Sequence, residues 1–541
     1  MDLYNVHVRS FIRIKFVLLC TAAIAFAAPA PVAVVNAASW APSAMPNGSI
    51  ARGSLFIVTG TGMGSATLQN ANTYPLPTSE GLGGTTVQVT VGAVTSYCIM
   101  IYSLSYQVAA ILPSSTAEGT GTLTITYQGS VGKVPIHVVK NNFGIFAVNE
   151  QGSGPGVIDD GAYQLRVPTD AAHPGDVLII WGTGLGPITT DETVAPPQVD
   201  LGTGVQVFVG GQQATVAYGG RGSSAGLDQI NFTVPQGVSG CYVAVVTKLA
   251  GVASNFTTIP ITAPGQKFCS ETDGLTAADL TKVLNSGTLN AGHINLNTIG
   301  GDYAVADFEQ FSYANLIASR GLAGGPSLGS CTVYNVPSGG GVVTSDPFPL
   351  PGLDAGPQLN VHGPNGTKAI RLVSKGHYEQ QLSAEGATPY LAPGNYTVDN
   401  GSGGADVGAF TASLTIPEPL VWTNKSSVKS VSGSENLTIT WSGGGPNDVV
   451  SIIGITGLAS IVTDTEFFCS APASAGTFTI PSVVLSLLPP AGLDANHLPG
   501  ADLIVGIVPS LAQANFTAPG LDFGLIFSFT FTSSATVVSI L

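Results

Sequence analysis

Apolar residues recur at every second position along much of this chain. Val87, Val89 and Val91 alternate with Gln88 and Thr90, and Leu123, Ile125 and Tyr127 alternate with Thr124 and Thr126. Near the end, Phe527, Phe529 and Phe531 enclose Ser528 and Thr530. Period two puts one set of side chains on one face. Each run therefore predicts a strand buried on one side, and the Phe527 run predicts a strand rather than a membrane helix. Glycine and proline punctuate the runs. TLTITYQG precedes KVPIHVV, CYVAVVTKLAG precedes NFTTIPI, and LNVHGP, KAIRLV, PGNYTVDNG, GAFTASLTIP, ENLTITWSGG, DVVSIIGI, GTFTIP and ADLIVGIVP lie downstream. Many short strands separated by turn signals predict β-sandwiches. One stretch differs. Thr276-Ala277-Ala278-Asp279 is a capping-box start, with Asp in place of Glu, for a short helix through Leu284. Strand-like runs follow it at 293–296 and 303–311.

Part of this pattern is written twice. GSLFIVTGTGMG (53–64) is answered by GDVLIIWGTGLG (175–186), VQVTVG (87–92) by VQVFVG (205–210), and QVAAILP (107–113) by QINFTVP (229–235). The first and third pairs are offset by 122 residues and the middle pair by 118. Solenoid units repeat every ~20–50 residues, so this period is a whole small domain. At ~150 residues per domain, a chain of 541 residues holds three to four domains.

Composition narrows the classes. Charged residues are 9% and hydrophobic residues 44%, enough apolar surface for several cores and too much for a disordered chain. Net charge is −15, becoming −17 without residues 1–37, and no Lys or Arg follows Lys429. That surface repels phosphate backbones, which require clustered basic residues, and it repels anionic lipid. Nucleic acid is excluded as a partner.

The N-terminus reads as an export signal. Arg9, Arg13 and Lys15 precede an apolar run over 16–28, shorter than the ~20 residues a membrane span needs. Small residues offer cleavage near Ala28-Pro29-Ala30 or near Val35-Asn36-Ala37. The second is preferred because Ala38-Ser39-Trp40 makes a plausible mature start. Leu18-Leu19-Cys20 lacks the small residue of a lipoprotein site. No membrane span is expected after cleavage. Export permits disulfides. Of Cys98, Cys241, Cys269, Cys331 and Cys469, the pair Cys269 and Cys331 brackets one compact segment and is the expected bridge, with the others unassigned. Neither a CxxC pair nor a Cys/His ligand spacing occurs, so no metal site and no cofactor is expected.

The two copies resemble IPT/TIG immunoglobulin-like domains. They also resemble a repeat of large secreted soil-bacterial proteins of unknown function. The residues that carry this are Pro174-Gly175 before VLIIWGTGLGP, then VQVFVGGQQATVAY, LDQINFTVP and GVASNFTTIPI. In the first copy they are GSLFIVTGTGMG, YQVAAILPSSTAEGTGTLTITY and NNFGIF. The likeness spans roughly 45–262. It implies a fold, and it brings no catalytic residues with it. The first copy departs by having Arg52 where the second has Pro174.

Several motifs have simpler structural readings. The GTGMG and GTGLG turns lack the following helix that a phosphate loop needs, and tight turns explain their glycines. Of two GxSxG matches, Gly222 to Gly226 and Gly325 to Gly329, neither has both the preceding strand and the following helix that a nucleophile elbow needs. His137, His173, His293, His362, His377 and His497 are scattered, and His137 alternates with Ile136 and Val138 as an outward side chain would. Asp159-Asp160-Gly161 could offer calcium oxygens, but a hairpin turn is the simpler reading. Among Trp40, Trp181, Trp422 and Trp441, the last shares a face with Leu437 and Ile439 and is expected in the core. Trp181 replaces Thr59 of the first copy, so it is the candidate for stacking on a ligand.

The expected protein is mostly β: tandem immunoglobulin-like β-sandwiches with a small α+β Cys-bracketed insert. Its expected parts are a signal peptide (1–37), a sandwich (38–144), a strap (145–168), a second sandwich (169–264), a small α+β segment (265–342), a third sandwich (343–419) and a C-terminal sandwich (420–541). The expected role is non-catalytic binding, adhesion or spacing at the cell surface or outside the cell, with a carbohydrate or a surface protein as partner. The alternative is an accessory or catalytic part of an extracellular carbohydrate-active hydrolase with its site in 266–541.

Overall fold

The repeat is kept down to strand register. Leu55–Thr61 pairs antiparallel with Gln107–Ile111 so that Thr59 faces Gln107, and Val177–Thr183 pairs with Asp228–Thr233 so that Trp181 faces Gln229. The computed structural model describes residues 28–202, 204–270, 274–298, 301–318, 326–337, 350–384, 386–456, 463–489, 501–508, 515–529, 536–537 and 539–540. Within them the protein is mostly β, a series of immunoglobulin-like sandwiches.

The first sandwich has two five-stranded sheets. One runs Ala30–Asn36, Leu55–Thr61, Gln107–Ile111, Ile99–Ser103, Gln69–Asn70, and the other Ile50–Ala51, Ser130–Val139, Gly119–Tyr127, Thr85–Val91, Val94–Tyr97. The alternating residues meet between them: Val87, Val89, Leu123 and Ile125 pack on Phe56 and Val58. Ala30–Asn36 lies within the segment expected to be removed at residue 37, and beyond the other expected cleavage near Ala28-Pro29-Ala30. It is a strand of this sandwich, in register with Phe56 to Thr61, and Asn36 is buried. Removing 1–37 would strip an edge strand and expose its partner. The basic and apolar residues up to position 27 lie outside the described residues.

The strap at 145–168 belongs to the second sandwich. Gly144–Ile145 and Ile158–Asp159 pair with Val177–Thr183, and Gly154–Pro155 pairs with Thr257–Ile261. The core between its layers holds Leu178, Ile180, Val207, Phe232 and Val245.

Beyond residue 264 the sheets do not follow the expected boundaries. An eight-stranded sheet runs from Thr411–Ile416 through Gly394–Asp399, Gln358–Gly363, Gly366–Ser374 and His377–Ala384 to Gly301–Ser312, Thr288–Asn297 and Phe523–Phe529. Strands from 265–342, 343–419 and 420–541 thus share one sheet. Alternation states which face of a strand is buried but not which strand lies beside it. The helix forms over Ala277–Ser286 with the capping box between Thr276 and Asp279, and its Leu280 and Val283 join the core of this sheet. Cys331–Pro337 leaves for a five-stranded sheet with Thr463–Pro472, Val449–Thr456, Ala501–Val508 and Thr536–Val537. Trp422 and Trp441 sit buried beside that sheet, Trp441 against Ile439 as expected.

The expected Cys269–Cys331 bridge is not formed. Cys241 bonds Cys269, and Cys331 bonds Cys469. Cys331 faces Cys469 across an antiparallel pair, with Cα atoms 4.0 Å apart. Cys241 stands on the strand Gly240–Leu249, and the chain leaving the second sandwich returns to it at Cys269, Cα 5.4 Å away. Among the described residues no helix is long and apolar enough to cross a membrane.

Candidate functional site

The glycine turn of the second copy does bind an anion, and the anion is the protein's own. The N–H groups of Gly184 and Leu185 donate to Asp228 Oδ2 at 2.7 and 2.8 Å. Arg221 Nε stands 2.8 Å from Asp228 Oδ1, and both side chains are fully buried. The guanidinium also donates to Gly186 O at 3.1 Å and faces Glu192 at 3.9 Å. Glu192 reaches the first sandwich, where it accepts from the backbone N–H and the hydroxyl of Ser114 at 2.6 and 2.8 Å. Burial pushes the Glu192 carboxyl above its ordinary range, against the pull of the Ser114 bonds and Arg221. Gly53 makes room for this cluster, for a Cβ there would come within 2.9 Å of Arg221 and Ser114, and its φ of +76° also suits glycine. Thr183 extends the seam by accepting from Leu55 N at 2.8 Å and donating to Gly226 O at 2.6 Å. Asn36 donates to Asn142 O and Thr183 O. Beside these polar groups Leu76, Ile99 and Ile111 of the first copy pack on Ala225 of the second.

Trp181 lies on the outer face of the second sandwich, half-buried. Its indole N–H donates to Asp159 Oδ2 at 2.9 Å, and the Tyr163 ring stacks on it at 6.2 Å between centroids and 28° between planes. Register places Gln229 beside Trp181 and Asn231 beside Ile179 and Tyr218 on that face. Gln229 donates to Asn231 Oδ1 at 2.7 Å, while its own Oε1 is buried with no partner. An unpaired buried acceptor costs about 1–3 kcal/mol. Tyr163 is 61% exposed and sits at φ +60°, a left-handed conformation that costs a non-glycine residue about 1 kcal/mol or more. Burial raises the Asp159 carboxyl pKa, and the Trp181 bond opposes it.

The remaining candidates have structural uses. Asp160 Oδ1 accepts from Ala162 N and Gln164 N, and Oδ2 pairs with Arg166, so the Asp159-Asp160-Gly161 segment is a hairpin turn. Ser223 and Ser224 lie in the tight turn before Asp228–Thr233. Of the second GxSxG match, Gly325 lies outside the described residues. Ser327 O accepts from Ser330 and Ser470 in the turn leading to Cys331. His137 faces outward as expected and meets Ser49 at 3.0 Å. Cys98 is a free thiol in the first core, and burial pushes its pKa up. A cleft of about 350 Å³ opens beside Asp302, whose carboxylate is engaged by Tyr390 N, Leu391 N and Ser383 Oγ. Among the described residues no group of three or more His, Cys, Asp or Glu is placed to hold a metal.

Sequence reasoning missed Arg221, Asp228 and Glu192. Their one visible signal was charge in a chain with little of it, at the end of a strand and inside glycine-rich turns.

No family model matches the chain, and no curated protein does. Similar solved structures include SGBP-B of the Bacteroides ovatus mixed-linkage glucan utilization locus, in complex with a mixed-linkage heptasaccharide. It is 11% identical, with 81% of this chain and 89% of that chain covered and a TM-score of 0.15. Invasin, a bacterial integrin-binding protein, is 11% identical, with 90% and 77% covered and a TM-score of 0.14. The I9–I11 tandem of titin is 8% identical, with 68% and 95% covered and a TM-score of 0.13. At TM-scores this low the likeness carries no argument about this chain.

Proposed function

We propose that this chain is a non-catalytic exported protein whose tandem sandwiches bind, display or space at the cell surface or outside the cell. The observation that carries the reading is the buried seam between the two repeats. Glu192, held beside the buried Arg221–Asp228 pair of the second repeat, accepts two hydrogen bonds from Ser114 of the first, and Thr183 accepts one from Leu55 N; these buried polar contacts are costly to break, so the pair acts as one body. A fixed angle between modules serves a protein that presents a surface. Two disulfides agree with an oxidising compartment outside the cytoplasm.

The test joins location to rigidity. Fractionated cells should hold the protein outside the cytoplasmic membrane. Spin labels at Ala93→Cys and Gln213→Cys, both exposed positions, should give one narrow distance distribution. A broad distribution, or cytoplasmic protein, would overturn the reading. So would glycan-hydrolase activity that disappears in Asp302→Asn.

A further inference from the structure

The two copies share a backbone register but not an outer face, and this difference is informative. In the first copy the positions equivalent to Trp181, Gln229 and Asn231 are Thr59, Gln107 and Ala109. There Trp40 closes the face over Val35, Ile57 and Ala109. Gln107 Oε1 is satisfied by the Tyr102 hydroxyl at 2.9 Å. In the second copy the same face carries Trp181, Tyr163, Asp159, Gln229 and Asn231. The Gln229 acceptor has no partner although the residue is only 5% exposed. Folding the sandwich does not require that arrangement, because the first copy folds without it.

We propose that this face of the second sandwich is a binding site for an uncharged oligosaccharide. The exposed Tyr163 ring, continued by Trp181, offers the flat apolar surface on which the C–H face of a pyranose ring stacks. The Asp159 carboxylate spends Oδ2 on the indole, which leaves Oδ1 to accept from sugar hydroxyls. Asn231 takes the Gln229 N–H through Oδ1, which leaves its amide N–H free to donate. Gln229 Oε1 lacks the donor that a hydroxyl supplies. Acceptors and a donor around an aromatic surface match a polyol, while the local carboxylates and the net charge of −15 disfavour anionic polymers. Tyr163 is held over Trp181 at positive φ by the Asp160 turn, and Arg166 clamps that turn through Asp160 and Asp170. The turn thus fixes the ring over the indole at a backbone conformation uncommon for a residue with a side chain.

The inference rests on the reading of the chain as a binding protein, and its test is separate from that of location and rigidity. The full chain is run in native gels containing barley β-glucan, xyloglucan, galactomannan, soluble starch or the anionic polygalacturonate. At least one neutral polymer should retard it and polygalacturonate should not. Tyr163→Gly and Asn231→Ala should each weaken that retardation at least tenfold. Tyr163→Gly should leave the melting temperature close to the parent's, because glycine accepts the positive φ and the side chain removed is mostly exposed, so lost binding is not lost folding. Absence of retardation by every neutral polymer overturns the site. So does retardation that both variants leave unchanged.

Discussion

Replacing Arg221 by Met tests the buried charge cluster of the second repeat that braces the seam. The side chain is fully buried, the Asp228 side chain is fully buried, and Glu192 is 8% exposed. Met fills much of the same volume, so the chief loss is charge. It leaves two buried carboxylates without their counter-ion and Gly186 O without its donor. Breaking a buried pair from one side costs about 3–5 kcal/mol. The Gly184 and Leu185 amides report locally because Asp228 Oδ2 holds both. At 1.36 kcal/mol per factor of ten, their hydrogen exchange should accelerate about 100-fold or more. Adding Asp228→Asn and Glu192→Gln removes the stranded charges and should recover a large part of the loss. Exchange within threefold of the parent protein in Arg221→Met would refute the argument, as would a triple variant no better than the single one.

Other outcomes follow from the same structure. Digestion without reduction should yield peptides linking Cys241 to Cys269 and Cys331 to Cys469, with Cys98 alkylated only after unfolding, whereas a Cys269–Cys331 peptide would contradict the pairing. N-terminal sequencing of protein recovered from outside the cytoplasmic membrane should find Ala30–Asn36 retained, and a chain starting at Ala38 should lose the first sandwich's cooperative melting transition. His293 lies between Phe311 and Phe523, and burial lowers its pKa from 6.5 to about 4 against the opposing pull of Asp307. The unfolded chain therefore binds more protons between those values. Stability is full above pH 6.5 and falls as pH drops toward 4, by about 3 kcal/mol in all. His293→Leu should flatten urea midpoints measured across that window, and an unchanged pH slope would contradict the assignment.

The sequence by itself determined what is local or repeated. Period two at Val87–Val91 marks a strand wherever that strand ends up, and Thr276 with Asp279 marks where a helix starts, from local residues alone. The offset of 122 residues carried register, so Trp181 against Gln229 followed from Thr59 against Gln107. Trp181 itself could be singled out because a polar residue fills its place in the other copy. What only the tertiary structure decided is adjacency. Phe523–Phe529 lies parallel to Thr288–Asn297 across more than two hundred residues of chain, and Cys331 meets Cys469 rather than Cys269. Ala30–Asn36 resembles the tail of an export signal until it is seen closing a sheet. Alternation records which side of a strand is dry, and many partners satisfy that condition equally well. The choice among them is made by packing and by isolated buried charges. Asp228 shows why: its meaning depends on Arg221, Gly184 and Leu185 arriving together, and no spacing along the chain announces that meeting.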